Sequence, residues 1–291
     1  MRFRLEIRDR TFVVKDILDD EALDISWSYS RIGGCGEFNF KLPRKRFGEK
    51  AITGEYNVRL YHRDDVTGVH TLWYQGLINN KVPNVRGNSE NIEISGHGYI
   101  DQLSRIKFSS TTTYSAQEAS VIVTSILNTY LTYTNVTYSA SDIVATTFTF
   151  DSIEFKIGES ILSAIQKISD TVGSREYGVD EDRKFYFKQR SSTIGFRFLS
   201  GVNITAFQDN QDFSQIVNQI IVQGASAGGT YFTAGPYNDL YSQAKYNLRT
   251  EMVQNSSITT ASVASQFATA YLTEKSEVSK RASVDLINYV G

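Results

Sequence analysis

Leu72-Trp-Tyr-Gln-Gly-Leu-Ile78, followed by Ile92-Glu-Ile-Ser-Gly-His-Gly-Tyr-Ile-Asp-Gln-Leu103, is the stretch on which the fold of this chain turns. His70, Leu72 and Tyr74 alternate with their neighbours, and Ile92, Ile94 and Gly96 do the same. A period of two marks strands with one face buried. The residues between them, Pro83–Gly87, read as a turn. Working upstream, Val58, Leu60 and His62 form a partner strand, joined to His70 through a polar turn, Asp64-Asp65 to Gly68. Phe38, Phe40 and Leu42 alternate with Asn39 and Lys41. Leu23, Ile25, Trp27 and Tyr29 alternate with Ala22, Asp24, Ser26 and Ser28. Phe3, Leu5 and Ile7 open the chain against Arg4, Glu6 and Arg8. Gly33, Gly34 and Gly36 punctuate the set as a turn or bulge would. Short strands at this spacing point to a barrel or a sandwich.

Downstream the texture changes near Thr111. Ser115-Ala-Gln-Glu118 predicts a capping box, and Ala119, Ile122, Val123, Ile126, Leu127 and Tyr130 then share one helical face. A second helix is expected over Gly158–Thr171, with Ile161, Leu162, Ile165 and Ile168 inward and Gly173 as its stop. A hairpin should follow, Glu176–Val179 and Lys184–Lys188, over the turn Asp180-Glu-Asp-Arg183. Strand texture returns at Phe213, where Ile216, Val217, Ile220, Ile221 and Val222 suit a strand covered on both faces and Gly224, Gly228 and Gly229 end it. A third helix is expected from Ala261 to Glu277, with Val263, Phe267, Ala270 and Tyr271 on one side and Thr259 or Thr260 as N-cap. A last strand is expected over Arg281–Val290, close enough to Gly291 that its partner is expected in another chain or in further residues.

Composition narrows the function. Of 291 residues, 41% are hydrophobic and 21% charged, which excludes wholesale disorder. Thirty basic against 32 acidic residues leave a net charge of -2, against a protein that works by neutralising phosphate. The single cysteine, Cys35, forms no internal disulfide, and three histidines leave little material for zinc. No apolar run approaches the roughly 18 residues of a membrane helix. The start, MRFRLEIRDR, has no uninterrupted apolar core, so no signal peptide is expected.

Each candidate for chemistry has a plainer reading. Asp19-Asp20-Glu21, Asp64-Asp65 and Asp180-Glu181-Asp182 lack the layout of a calcium loop and suit turns, where aspartate hydrogen-bonds the backbone. Cys35 with His97 could be a nucleophile and its base, but both sit between glycines with no third orienting group, so a bulge and a strand end are favoured. Lys41, Arg44, Lys45, Arg46 and Lys50 form one basic cluster, blunted by Glu37, Glu49 and Glu55, and read as a solvated loop. Tyr231, Phe232, Tyr237 and Tyr241 are a possible stacking surface for carbohydrate, although aromatics at strand spacing more often form core pairs. Asn135, Asn203 and Asn255 fit the glycosylation acceptor pattern, which means little without a leader. No catalytic, cofactor-binding or metal-ligating residue is assigned, no cofactor is expected, and the chain is not expected to be an enzyme.

Three stretches in order resemble the tail hub (baseplate hub) proteins of bacteriophages, which are related to the base of type VI secretion spikes. The first is the opening stretch, Leu72–Ile78 with Ile92–Leu103. The second is Gly158-Glu-Ser-Ile-Leu-Ser-Ala-Ile-Gln-Lys-Ile168 leading to Tyr177-Gly-Val-Asp180 and Lys184-Phe-Tyr-Phe187. The third is Phe213-Ser-Gln-Ile-Val-Asn-Gln-Ile-Ile-Val-Gln-Gly224, then Tyr241–Glu251 and the helix to Glu277. The resemblance implies a mainly β fold with inserted α+β: a first tube-like β-barrel over 1–108, an α+β middle domain over 109–200, and a second β-barrel over 201–291 that carries a C-terminal helix and is expected to be completed by another chain or by further residues. It implies a structural virion component, a homotrimer at the phage tail tip. That hub would join the tail tube or distal tail protein to tip, spike or receptor-binding proteins. DNA or tape-measure protein would pass through its lumen without specific binding. A carbohydrate-binding tail module for host recognition is the alternative.

Overall fold

The computed structural model describes residues 2–19, 21–43, 52, 54–64, 67–86, 89–173, 175–190, 204–227 and 230–286. The first part of the chain is all strand: β1 (Arg2–Arg8), β2 (Val14–Leu18), β3 (Leu23–Ser30), β4 (Gly33–Pro43), β5 (Asn57–Arg63), β6 (His70–Arg86) and β7 (Ser89–Gly98). These pair antiparallel in the order β3-β4-β7-β6-β5-β1-β2. The alternation seen in the sequence sets which face turns in. Leu5, Ile7, Phe40, Leu42, Leu60 and Ile94 are buried in one cluster. On the outer face of β1, Arg4 and Arg8 reach Glu6 at 3.2 and 2.7 Å.

The turn expected over Pro83–Gly87 is displaced, because β6 runs on through Pro83 to Arg86. Strand β5 covers β6 only as far as Leu77, so among the described strands the rest of β6 pairs with β7 alone. Such an edge is where a strand accommodates proline. The sheet curls strongly. Phe3 of β1 and Trp27 of β3 are separated in the ladder by β4, β7, β6 and β5, yet their rings meet edge to face at 5.3 Å. Beside them Trp73 stacks on His62 at 4.5 Å. Aromatic side chains therefore span a gap that no backbone hydrogen bond closes, and none of the sheets closes on itself among the described residues.

The middle of the chain adds α1 (Ile100–Arg105), β8 (Thr112–Glu118), α2 (Ala119–Tyr130), β9 (Thr149–Phe155), α3 (Ile161–Val172), β10 (Arg175–Val179) and β11 (Phe185–Gln189). The capping box expected at Ser115 does not form. The chain stays extended to Glu118, with Ala116 at φ 52°, and Glu118 itself caps α2 by accepting from the amides of Ser120 (3.0 Å) and Val121 (3.3 Å). Helix α3 starts and stops near the expected points. The Ser160 hydroxyl accepts from the Ser163 amide at 3.1 Å, and Gly173, at φ 71°, ends it. Its Ile161, Ile165 and Ile168 are buried as the periodicity requires.

The last part comprises β12 (Ile204–Asp212), β13 (Gln219–Ala227), β14 (Thr230–Asn238), α4 (Leu240–Tyr246), β15 (Thr250–Gln254), α5 (Ala261–Lys275) and β16 (Ser279–Leu286). β14-β13-β15 form one sheet, β8-β9 a two-stranded one, and β12-β16 another. The strand expected from Phe213 begins only at Gln219, and Phe213 stands half exposed. Thr260 caps α5, whose Val263, Ala264 and Phe267 are buried against β13 and β14. The fold is mainly β with helices packed on several open sheets. A second core runs from Leu77 to Leu272, so Ile220, Val222 and Phe267 share one cluster with Ile126, Phe150 and Ile165.

The two cores meet at a tight joint. Strand β10 adds to β4 in parallel, Gly178 beside Gly33 and Val179 beside Gly34, so the β10–β11 hairpin extends the first sheet to nine strands. A Cβ on Gly34 would lie 2.0 Å from the Val179 carbonyl oxygen, and Gly34 holds φ +75°. The Tyr186 hydroxyl donates to the Arg31 carbonyl at 3.0 Å, and the Arg183 guanidinium lies 4.0 Å over the Phe12 ring. Gly34→Ala is expected to lower the unfolding free energy by about 3 kcal/mol or more, combining left-handed strain with a backbone clash. Gly158→Ala, at φ +84° with open space around it, should lose only about 1 kcal/mol. Urea unfolding of both variants checks this; equal losses would show that the close approach is not what matters.

Candidate functional site

The structure separates the pair that sequence had set side by side. Between Trp27, opposite Phe38, and Tyr29, opposite Cys35, strand β4 carries a bulge that switches its phase. Cys35 turns inward and is buried, while His97 is partly exposed with Nδ1 4.0 Å from Glu37. Burial raises the Cys35 thiol to about 12, so it is protonated and unreactive at neutral pH.

Asp180 and Asp64 each hold a turn. One Asp180 carboxylate oxygen accepts from the amides of Asp182 (2.9 Å) and Lys184 (2.8 Å). Asp64 accepts from the Thr67 amide at 2.7 Å. Burial raises the Asp180 and Glu181 carboxyls, and each is also held up by its acidic neighbours. No group of three or more His, Cys, Asp or Glu is placed to hold a metal ion among the described residues. Lys41 pairs with Asp24 at 2.6 Å. Asp20, Asp65, the basic residues Arg44–Lys50, Asn203, Gly228, Gly229 and the expected strand end at 287–290 lie outside the described residues. The aromatic strip does not form a platform: Phe232 and Tyr237 pack on the core, whereas Tyr231 and Tyr241 are exposed.

Two surfaces remain that are built to meet something. The first is formed by β2 and β3, each of which pairs with a single strand among the described residues, the sheet's other end being β11; Val14, Ile17, Leu23 and Tyr29 are exposed on β2 and β3. Unpaired edges carrying apolar side chains invite pairing or cover. The second surrounds Asn218, which is fully buried. Its Nδ2 donates to the Asn247 carbonyl (2.7 Å), and its Oδ1 accepts from the Arg249 amide (2.7 Å). Its own amide donates to the Arg249 carbonyl at 3.0 Å, and its carbonyl accepts from the Asp239 amide and the Gln243 side chain, both at 2.9 Å. One asparagine thus ties the lead-in to β13, the start of α4 and the lead-in to β15. On or next to these segments stand Phe213, Leu240, Tyr241, Leu248 and Met252, all large and exposed. Sequence reading passed over Asn218. Its signal was the amide pair Asn218-Gln219 inside the apolar run Ile216-Val-Asn-Gln-Ile-Ile-Val222.

No family model matches the chain, and no curated protein does. Solved structures do. A 43 kDa tail protein of prophage MuSo2 from Shewanella oneidensis superposes with TM-score 0.66 at 15% identity, over 98% of this chain and 82% of the other. Prophage tail protein gp18 from Listeria monocytogenes EGD-e gives 0.64 at 12%, over 97% and 80%. A tail protein from Neisseria meningitidis MC58 gives 0.62 at 13%, over 94% and 76%. The fold is that of phage tail proteins. These three chains are described as tail proteins and none of the three as an enzyme. At such identities the likeness rests on element order and core patterning.

Two measurements probe Cys35 and Asn218. Native protein at pH 8 is expected to leave Cys35 unlabelled by a thiol reagent on the timescale that labels free cysteine, with full labelling in urea. Rapid native labelling would contradict its burial. Asn218→Ala should lose about 3 kcal/mol, because it strands the Asn247 carbonyl and the Arg249 amide. Chemical denaturation measures it, and a loss below about 1 kcal/mol would show that the three segments hold without it.

Proposed function

We propose that this chain is a structural component of a phage tail, a hub at the distal end that assembles as a homotrimer. The observation that carries this reading is the superposition on three tail proteins over nearly the whole chain and over at least 76% of each partner. The open edges support it: a curled sheet that stops short of closing, with apolar residues along β2 and β3, gains cover when neighbouring chains surround it. In this reading the segments 1–108 and 201–291 are the two tube-like barrels, completed by their neighbours in the ring, and 109–200 is the middle domain between them. Three chains with two similar barrels each make a pseudo-sixfold collar. Such a collar fits a sixfold tube or distal tail protein on one side and threefold tip, spike or receptor-binding proteins on the other. The lumen gives passage to DNA or tape-measure protein without holding either. The role is mechanical and needs no catalytic group or cofactor. Its place is the virion tail tip, and no helix among the described residues is long and apolar enough to cross a membrane.

Light scattering on the size-exclusion peak over a concentration series should give the mass of three chains, with a central hole in negative-stain images of that peak. A strict monomer at every concentration, alone and with the tube protein added, would overturn the reading.

A further inference from the structure

The outer face of the first sheet carries a feature that assembly does not require. The register places Ser26 of β3 opposite Asn39 of β4, Asn39 opposite Ser95 of β7, and Ser95 opposite Asn80 of β6. Four neighbouring strands thus present one unbroken row of hydroxyls and amides. One pleat away, Glu37 stands opposite His97, with Ser28 bonded to the Glu37 amide at 2.9 Å. These residues line a groove of about 580 Å³.

Two irregularities shape the groove, one at each side. The bulge of β4 near Gly36 brings Ser28 and Glu37 together. In β6, Ile78 lies opposite Gly96 and Asn80 opposite Ser95, so Asn79 is an extra residue, and it lines the groove together with Asn80. Bulges re-aim side chains in this way. Ser26, Asn79, Asn80 and Ser95 make no side-chain hydrogen bond to any described residue. A solvated sheet face has no need to gather four free amide and hydroxyl groups around one concavity.

The chemistry of the lining selects the occupant. No lysine or arginine is present and Glu37 is, so phosphate or a polyanion is disfavoured. Trp27 and Phe38 also border the groove, but both pack against the first core, and what the outer face presents is mainly asparagine and serine, whereas the centre of a protein interface is enriched in aromatics, methionine and arginine and depleted in serine. The volume falls in the range of roughly 300–1,000 Å³ typical of small-molecule sites. Side-chain amides and hydroxyls donate and accept together, and so does each hydroxyl of a sugar. We infer that the groove over β3, β4, β7 and β6 binds a neutral saccharide, with Asn79, Asn80, Ser95 and Ser26 as its hydrogen-bonding set. The inference stands on this face alone and does not depend on the tail assignment.

Saturation-transfer NMR on the intact chain tests it, with chitotetraose, maltotetraose and mannotetraose as probes at about 10 mM, followed by calorimetry on any that binds. At least one is expected to bind in the high micromolar to millimolar range. The double variant Asn79→Ala/Asn80→Ala and the single variant Ser95→Ala should each lose tenfold or more in affinity with an unchanged melting temperature. Should the double variant not fold, Asn80→Gln, which moves the amide outward by one methylene, serves in its place. No transfer from any probe, undiminished binding by the folded variants, or preferential binding of an oligothymidylate control would each overturn the proposal.

Discussion

At Gly34 the backbone of β4 passes so close to the Val179 carbonyl that no side chain fits between them. Most of the architecture depends on that contact. Because Gly33 and Gly34 lie flat against Gly178 and Val179, the β10–β11 hairpin becomes part of the first sheet instead of hanging from a linker. The consequence is mechanical. Phe185 and Phe187 of that hairpin belong to the second core, so a strand pair anchored in one core is hydrogen-bonded to the sheet that covers the other. Force applied to either half passes through a backbone ladder, which is stiffer than a side-chain contact.

Buried polar groups reinforce the same joint. The Tyr99 hydroxyl donates to Asn57, and the Asn57 amide donates to the Asp9 carbonyl at 2.6 Å. The Gln75 amide, oriented by its neighbours, donates to the Glu181 carbonyl at 3.0 Å and accepts from Arg59 Nε at 3.2 Å. Arg183 lies over Phe12 at 4.0 Å and over Tyr99 at 5.9 Å. Loops from the start of the chain, the first sheet and the hairpin turn are thereby held in one arrangement. Asn218 does the equivalent work in the last third. An apolar core tolerates sliding, whereas a buried amide with fixed partners does not, and that is how a mostly β chain with few helices keeps its segments in register.

How much of this was legible in the sequence follows the range of each interaction. Helix α3 was readable because Ser160, the isoleucines and Gly173 all lie within about one element of each other. The strand phases of β1, β4 and β5 were readable for the same reason. The start of α2 was not, since two chemically similar signals competed: Ser115 resembles a cap, but pairing of Ser115 with Ser152 on β9 keeps it extended and leaves the cap to Glu118. The parallel pairing of β10 with β4 joins residues far apart in the chain, and local pattern says nothing about it. Its one trace is the glycine at each place, Gly33-Gly34 on β4 and the single Gly178 on β10, and a glycine in a strand signals a turn or bulge as readily as a close approach. The hydroxyl–amide row was invisible for a related reason, because Ser26, Asn39, Asn80 and Ser95 meet only through register.

The same sheet is curled, open and irregular at once, and these properties belong together. A small barrel that closes by hydrogen bonds has no edge left for a neighbour. Here the curl is carried by Phe3, Trp27, Trp73 and His62, which bring β1 and β3 together without pairing them. The hydrophobic gain of closure is obtained while the edges stay available. The bulges are the geometric counterpart: each adds twist locally, and twist is what lets a ladder of seven strands turn back on itself. Ser28, opposite the bulge of β4, and Asn79, the extra residue of β6, both line the groove on the outer face. Curvature needed for the core thus creates, on the far side of the sheet, the concavity lined by Asn80 and Ser95.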